Sequence, residues 1–238
     1  MGDKSSGKRI LLIVTSHGEL GATGQKTGFW LEELAAPYRV FVEAGVEVDI
    51  ASPRGGRPPV DPKSDKEPKG DARRFLDNPE AMAKLENTLP LGAIDRSYDA
   101  YFVVGGHGVM WDLAVSAEAQ ATLAGAFDGG KVVAAVCHGP AALVNVRLGS
   151  GAPLVEGRRV AGFSDEEEKA VGLESVVPFP LETKLRELGG RYERGPTWGS
   201  FAVRDGRLVT GQNPASSAAV ARETLAAMTA TAEGQQSP

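Results

Sequence analysis

One cysteine, Cys137, is the whole thiol inventory of the 238 residues. No disulfide can form within the chain, and cysteine-rich scaffolds and zinc clusters are ruled out. A lone thiol suits a reducing cytoplasm, the location expected here. Histidine is nearly as scarce: His17, His107 and His138 are all there are. Any imidazole chemistry must come from these. They are too scattered to show close ligand spacing, so no metal centre is expected. His17 and Glu19 could supply two ligands, but a solvated loop is the plainer reading. No apolar run is long enough to span a bilayer. Met1 to Arg9 lacks the apolar core and small-residue cleavage pattern of a signal peptide. A basic surplus is missing too. The 26 Lys and Arg stand against 31 Asp and Glu, a net charge of −5, which argues against a nucleic-acid partner. There is no G-x-G-x-x-G fingerprint and no phosphate loop, so no nucleotide cofactor is expected.

What is present centres on Lys131 to Leu143, K-V-V-A-A-V-C-H-G-P-A-A-L. Val132 to Val136 is an unbroken apolar run between Gly129-Gly130 and Gly139-Pro140, as in a strand buried on both faces of a parallel sheet. Pro140 suits the first position of a helix, and Ala141, Ala142 and Leu143 favour one. Cys137 is therefore expected on a tight strand-to-helix turn. The unpaired N–H groups of a helix start would lower its pKa and favour the thiolate. A lone cysteine is more often buried and inert, but the turn and the adjacent His138 reverse those odds.

The rest of the chain alternates. Strands are expected over Arg9–Thr15, Val46–Ala51, Asp99–Val104, Gly157–Phe163, Arg191–Arg194 and Phe201–Leu208, the last turning at Asp205-Gly206. Helices are expected over Thr27–Ala44 (kinked or broken at Pro37), Pro79–Asn87, Ser116–Phe127, Ser164–Val171, Pro180–Leu188 and Ala215 to about Thr229. The three glutamates at 166–168 read as a solvated helix start. Ser52 to Asp71, rich in Pro, Gly, Lys and Asp, reads as a long loop over one end of the sheet, either a lid or a mobile insertion. The pattern implies one α/β domain over 9–230, a three-layer α/β/α sandwich around a mainly parallel, flavodoxin-like sheet, with flexible tails at 1–8 and 231–238.

Five motifs, in order along the chain, resemble a known superfamily. They are T-G-F-W-L-E-E-L-A-A-P-Y at 27–38, G-G-H-G-V-M-W-D-L at 105–113, A-A-V-C-H-G-P-A at 134–141, G-F-S-D-E-E-E at 162–168 and L-V-T-G-Q-N-P-A-S at 208–216. Together they are similar to the ThiJ/PfpI superfamily, and to its chaperone-like branch associated with glutathione-independent glyoxalase III. Class I glutamine amidotransferases share the strand–Cys–helix arrangement but need a late His-x-Glu motif, which this chain lacks.

The resemblance makes Cys137 the nucleophile of a nucleophile elbow and His138 the histidine beside it. Glu33 becomes the glutamate pointing at the cysteine from the first helix, and Glu168 the acid orienting the histidine. Glu32 should point elsewhere on the helix. Asp165, Glu166 and Glu167 lie close to Glu168 in sequence. The N–H groups of Gly106 and His138 are candidate oxyanion donors, with Gly105, Gly106 and Gly108 allowing close backbone approach. His107 could touch substrate or simply pack. Trp30, Trp111 and Trp198 could line a pocket, though each is more often core. The implied activity is a cofactor-independent lyase turning methylglyoxal, a small reactive aldehyde, into lactate, in a homodimer. The rivals are a cysteine amidase, peptidase or deglycase on the same site, or a stress-related holding chaperone or redox sensor.

Overall fold

A computed structural model describes residues 7–94 and 97–234. Its main sheet has seven strands. They are β1 (Arg9–Ile13), β2 (Glu47–Ser52), β3 (Leu89–Pro90), β4 (Ala100–Val103), β5 (Val132–Val136), β8 (Ala202–Asp205) and β9 (Leu208–Gly211), in the order β3-β2-β1-β4-β5-β9-β8. All neighbours run parallel except the β8–β9 hairpin. A separate parallel pair joins β6 (Arg159–Val160) to β7 (Arg191–Tyr192). Strands β4 and β5 are buried throughout, which is why they read as unbroken apolar runs.

The helices are α1 (Leu31–Glu43), α2 (Gly70–Leu76), α3 (Pro79–Glu86), α4 (Ala117–Asp128), α5 (Asp165–Ala170), α6 (Leu181–Glu187) and α7 (Ser217–Gly234). Right-handed crossovers run outward from β1 to β2 and, in the opposite direction, from β4 to β5. They therefore put α1 and α4 on opposite faces. Helices α1 and α7 pack together on one of those faces. This is the flavodoxin-like three-layer arrangement. The strand order reverses between β1 and β4, so a crevice opens at the carboxyl ends of the strands there. Among the described residues, no helix is long and apolar enough to cross a membrane.

Several elements differ from expectation. Helix α1 begins at Leu31, four residues late. Residues 27–29 are extended instead: the Phe29 N–H donates to the Pro59 carbonyl (3.0 Å) and the Asp61 N–H to the Phe29 carbonyl (2.9 Å). A Cβ on Gly28 would sit 2.1 Å from the Pro59 oxygen, so only glycine permits this approach. Residues 59–64 of the 52–71 stretch thus brace the start of α1. Thr27 Oγ1 donates to the buried Asp61 carboxylate (2.9 Å), and Ser64 Oγ accepts from the Leu31 N–H (3.0 Å) in place of a local helix cap. Helix α1 also continues through Pro37, which lies on its buried face. The strand expected at 157–163 shrinks to β6. Helix α2 and strand β3, both short, were not expected. Helix α7 runs on to Gly234, past the stop expected near Thr229. Of the tails expected at 1–8 and 231–238, residues 231–234 belong to α7, and residues 1–6 and 235–238 lie outside the described residues.

The segment after Cys137 is a 3₁₀ turn, Gly139–Leu143, not an α-helix. All five of its residues are buried, and His138 in front of it supplies no side-chain cap. With no solvent face and no cap, one tight turn is all the packing admits.

The brace predicts a stability effect. Gly28→Ala should cost about 1–3 kcal/mol in chemical denaturation, because its new Cβ meets backbone that cannot swing aside. Gly125→Ala, in exposed helix with nothing within 4 Å of the new Cβ, should instead add about 0.5–1 kcal/mol. Equal effects at both positions would refute the brace.

Candidate active site

Strand β5 delivers Cys137 into the crevice. The residue adopts φ 59°, a left-handed conformation that costs a non-glycine residue on the order of 1 kcal/mol. It is held from both sides: its N–H donates to the Gly211 carbonyl (3.0 Å), and its carbonyl accepts from the Phe163 N–H (2.8 Å). Tight packing surrounds the turn. A Cβ on Gly139 would lie 2.5 Å from the Val103 oxygen, and one on Gly105 would lie 2.9 Å from the Cys137 Cβ.

The expected drop in thiol pKa is not found. Burial pushes Cys137 well up, and a charged Glu33 beside it pushes further. The His138 N–H, facing the sulfur, offsets only part of this. With a five-residue 3₁₀ turn behind it, the thiol lacks the field of a long helix.

Glu33 comes from the first turn of α1 and is fully buried. The room for its carboxyl exists because residue 105 is glycine: a Cβ there would lie 2.3 Å from Glu33 Oε2. Burial raises its pKa to about 8, against the opposing pull of the Cys137 thiol and the Gly105 N–H. Neither carboxyl oxygen completes a hydrogen bond, so those two contacts stay off hydrogen-bond geometry. Glu33 and Cys137 titrate as a pair, and at neutral pH Glu33 carries its proton. Glu32 points away, its Oε2 accepting from the Ala72 N–H of α2 at 3.1 Å.

The third group is a clamp of two histidines on one carboxylate. His138 Nε2 lies 2.7 Å from Glu168 Oε2, and His107 Nε2 lies 2.7 Å from Glu168 Oε1. Burial alone would raise the Glu168 pKa, but the two imidazoles outweigh it and hold the carboxyl far below its usual range. An ionised carboxylate only accepts, so both rings carry hydrogen on Nε2, and a neutral His138 presents Nδ1 as an acceptor. His138 Nδ1 lies 3.4 Å from the Cys137 sulfur, placed to take the thiol proton. Burial and His107 lower the His138 pKa, against the pull of Glu168, so the ring is neutral at rest.

The acidic stretch is only partly a solvated face. Glu166 is exposed, whereas Glu167 and Glu168 are buried. Glu167 is a site residue that the sequence reading missed. Its Oε2 accepts from the N–H and Oγ of Ser164 (3.1 and 3.0 Å). Its Oε1 accepts from the Trp198 N–H, Gln212 Nε2 and Asn213 Nδ2 (2.8, 3.0 and 2.8 Å). One buried carboxylate therefore ties α5, the 196–199 turn and the loop before α7 into a single wall. The S-x-x-E spacing of a capping box was the available signal.

These elements enclose a cavity of about 310 Å³. Glu33, Gly106, His107, Cys137 and His138 line it, as do Trp30 and Trp198. Trp111 is not among the lining residues and stacks on His17 instead, with centroids 5.5 Å apart. Gly106, at φ 108°, packs so closely that a Cβ would lie 2.4 Å from the Gly28 oxygen.

The scattered histidines do converge once folded. Ligand atoms of His107, His138 and Glu168 lie within 4.8 Å of one another, a grouping that could hold a metal ion. An ion there would have to displace both Nε2–H···O hydrogen bonds, which already account for the cluster. His17 and Glu19 do not join it: His17 Nε2 is 2.7 Å from the Glu19 carbonyl, in an exposed contact.

Known proteins share this architecture. "Glyoxalase 3" of Candida albicans is 32% identical over 92% of this chain and 98% of its own length. The crystal structure of glyoxalase III from that organism superposes with a TM-score of 0.85 at 31% identity, covering 92% of this chain and 97% of that one. The Rapid Encystment Protein of Francisella tularensis superposes at 0.89 with 36% identity, covering 93% of this chain and 99% of the other. The model of the DJ-1/PfpI family matches residues 26–227. By sequence over nearly its full length, and by fold, the chain belongs to the DJ-1/PfpI family.

Proposed function

We propose that this protein is a glutathione-independent glyoxalase of the lyase type, converting an α-oxoaldehyde such as methylglyoxal into the 2-hydroxy acid, lactate. One observation carries the reading: the Cys137 sulfur faces a neutral His138 acceptor at 3.4 Å in the same cavity as a protonated, unpartnered Glu33 carboxyl. Relatives named as glutathione-independent glyoxalases support it.

The two proton carriers can cycle through the reaction and return to their starting states. In the first step the thiol proton passes to His138 Nδ1 and the sulfur adds to the aldehyde carbon. Glu33 protonates the aldehyde oxygen, giving a hemithioacetal. Glu33, now a carboxylate, removes the hydrogen from that carbon while the imidazolium protonates the ketone oxygen, giving an enediol. Glu33 then returns its proton to the second carbon and His138 takes the proton of the first hydroxyl, giving a thioester. Water adds to the thioester carbon with its proton going to Glu33. The sulfur leaves with the proton of His138, and the acid is released. Glu168 stabilises each imidazolium. Gly106 and His138 N–H groups are assigned to the developing oxyanions. The aldehyde carbon is oxidised and its neighbour reduced within one molecule, so no external electron carrier is required. We assign this chemistry to the cytoplasm, a reducing compartment that a lone free thiol suits.

The test is lactate formation from methylglyoxal without glutathione or added metal, followed by proton NMR. Absence of lactate from folded wild type would refute the reading. The Cys137–His138–Glu168 array also suits an amidase, peptidase or deglycase. That rival leaves the unpartnered Glu33 carboxyl without a task, and comparison of amide and dicarbonyl substrates by kcat/KM separates the two.

Glu168→Gln should lower kcat by about 10²–10³-fold. An amide can accept from only one ring, so its NH₂ forces the other histidine to protonate Nδ1. Where that ring is His138, it can no longer take the thiol proton. An unchanged kcat would remove Glu168 from the mechanism.

A further inference from the structure

We infer that the site favours α-oxoaldehydes whose ketone carbon carries an aromatic or bulky apolar group over methylglyoxal itself. The inference rests on the dicarbonyl reading above and names its substrate class.

The cavity is the first ground. It measures about 310 Å³. Even at the roughly 30 Å³ that each water takes up in the liquid, the five heavy atoms of methylglyoxal would fill about 150 Å³ and the ten of phenylglyoxal about 300 Å³.

The second ground is how the lining is sorted. The reactive groups Glu33, Cys137 and His138 are buried at the floor. Phe163 continues the floor, its ring 4.4 Å from that of His138, and the walls outward of it are apolar, with Pro214, Val171 and Trp198. Asn213 also lines the cavity, but its amide is committed to the wall: Nδ2 donates to Glu167 and to the Gly199 carbonyl, and Oδ1 accepts from Ser216. Four large hydrophobic residues are exposed among the described residues, Val42, Val115, Val171 and Trp198, and two of them stand on this cavity. Exposed apolar surface gathered at a pocket marks a place for an apolar ligand group.

The third ground is Trp198 itself. It is 48% exposed at φ 64°, a conformation that a bulky side chain rarely adopts. Its N–H is anchored 2.8 Å from Glu167, and its ring lies 5.8 Å from that of Phe163. A glycine would hold this turn without strain, so the indole is there for its surface. A dicarbonyl attacked at the floor extends its substituent along this aromatic wall.

The experiment compares kcat/KM for phenylglyoxal, converted to mandelate, with that for methylglyoxal, in wild type, Trp198→Gly and Val171→Asp. Trp198→Gly suits the positive φ, and Val171 is exposed, so both variants should fold. We expect wild type to prefer phenylglyoxal about tenfold or more, and each variant to lower that ratio several-fold to tenfold, mainly through the KM for phenylglyoxal. A wild-type ratio at or below one would overturn the inference. So would an equal loss on both substrates in the variants, or a change in oligomeric state without a change in ratio. Failure of wild type on both substrates would instead overturn the glyoxalase reading beneath it.

Discussion

Cys137→Ala is expected to lower kcat/KM for methylglyoxal by roughly 10⁴-fold or more, with the protein still folded. The sulfur is the sole atom in the site that can bond covalently to the aldehyde and later leave from a thioester. Removing it removes the route, whereas removing a proton carrier only slows it. Alanine keeps the Cβ and the same left-handed backbone, so strain at φ 59° is unchanged. The hydrogen bonds from the Cys137 N–H to Gly211 and from the Phe163 N–H to the Cys137 carbonyl are backbone only and survive. Thermal melts of the two proteins should therefore nearly coincide while lactate production separates them. Cys137→Ser should be almost as inactive, because an alkoxide is far harder to generate than a thiolate in a buried site. Full turnover by the alanine protein would sink the covalent mechanism.

Glu33→Gln should abolish most turnover and yet stabilise the fold at neutral and alkaline pH. The carboxyl titrates near pH 8 in the folded protein, against an ordinary value of 4.5. Below pH 4.5 it is protonated in both folded and unfolded chains and costs nothing through ionisation. As pH rises from 4.5 towards 8, the unfolded chain ionises it while the folded chain holds the proton, so stability falls across that window. At about 1.4 kcal/mol per pH unit the cost at pH 7 is roughly 3 kcal/mol. Glutamine is neutral throughout but leaves amide N–H groups unpaired, which takes back about 1–2 kcal/mol. The net gain should be about 1–2 kcal/mol, seen as a Tm higher by about 2–8 °C at pH 7 and a flatter profile of stability against pH. Wild-type kcat/KM should fall as pH rises through about 8, where Glu33 loses the proton that the aldehyde oxygen needs. A Glu33→Gln protein less stable than wild type at pH 8 would contradict a neutral buried carboxyl.

Much of this was legible in the chain because it rests on local pattern. Val132 to Val136 announces a strand buried on both faces, and Asp205-Gly206 announces the hairpin. Ser116 announces the start of α4, where its Oγ accepts from the Ala119 N–H at 3.1 Å. Glu33 rather than Glu32 rests on the family resemblance, through its spacing from Thr27-Gly28 and Pro37-Tyr38, and helix periodicity adds only that Glu32 points elsewhere. The start of α1 was misread because what stops it is a strap some thirty residues later in sequence, against which Gly28 packs. No window of local pattern contains that contact.

The alternation of elements, the single thiol, the imidazole beside it and the family resemblance are all readable along the chain, since each is carried by residue identity and short-range spacing. Tertiary structure alone decided the state of those groups. Burial beside Glu33 raises the thiol that local reasoning expected to be lowered. Residues 107, 138 and 168, far apart in the chain, meet only when the loop after β4 and the turn after β5 close on α5, and they then share one carboxylate. Glu167 becomes the keystone of the pocket wall for the same reason: its hydrogen-bond donors come from three separate segments. Desolvation and long-range hydrogen bonding depend on what surrounds a residue in space, and those surroundings exist only in the folded chain.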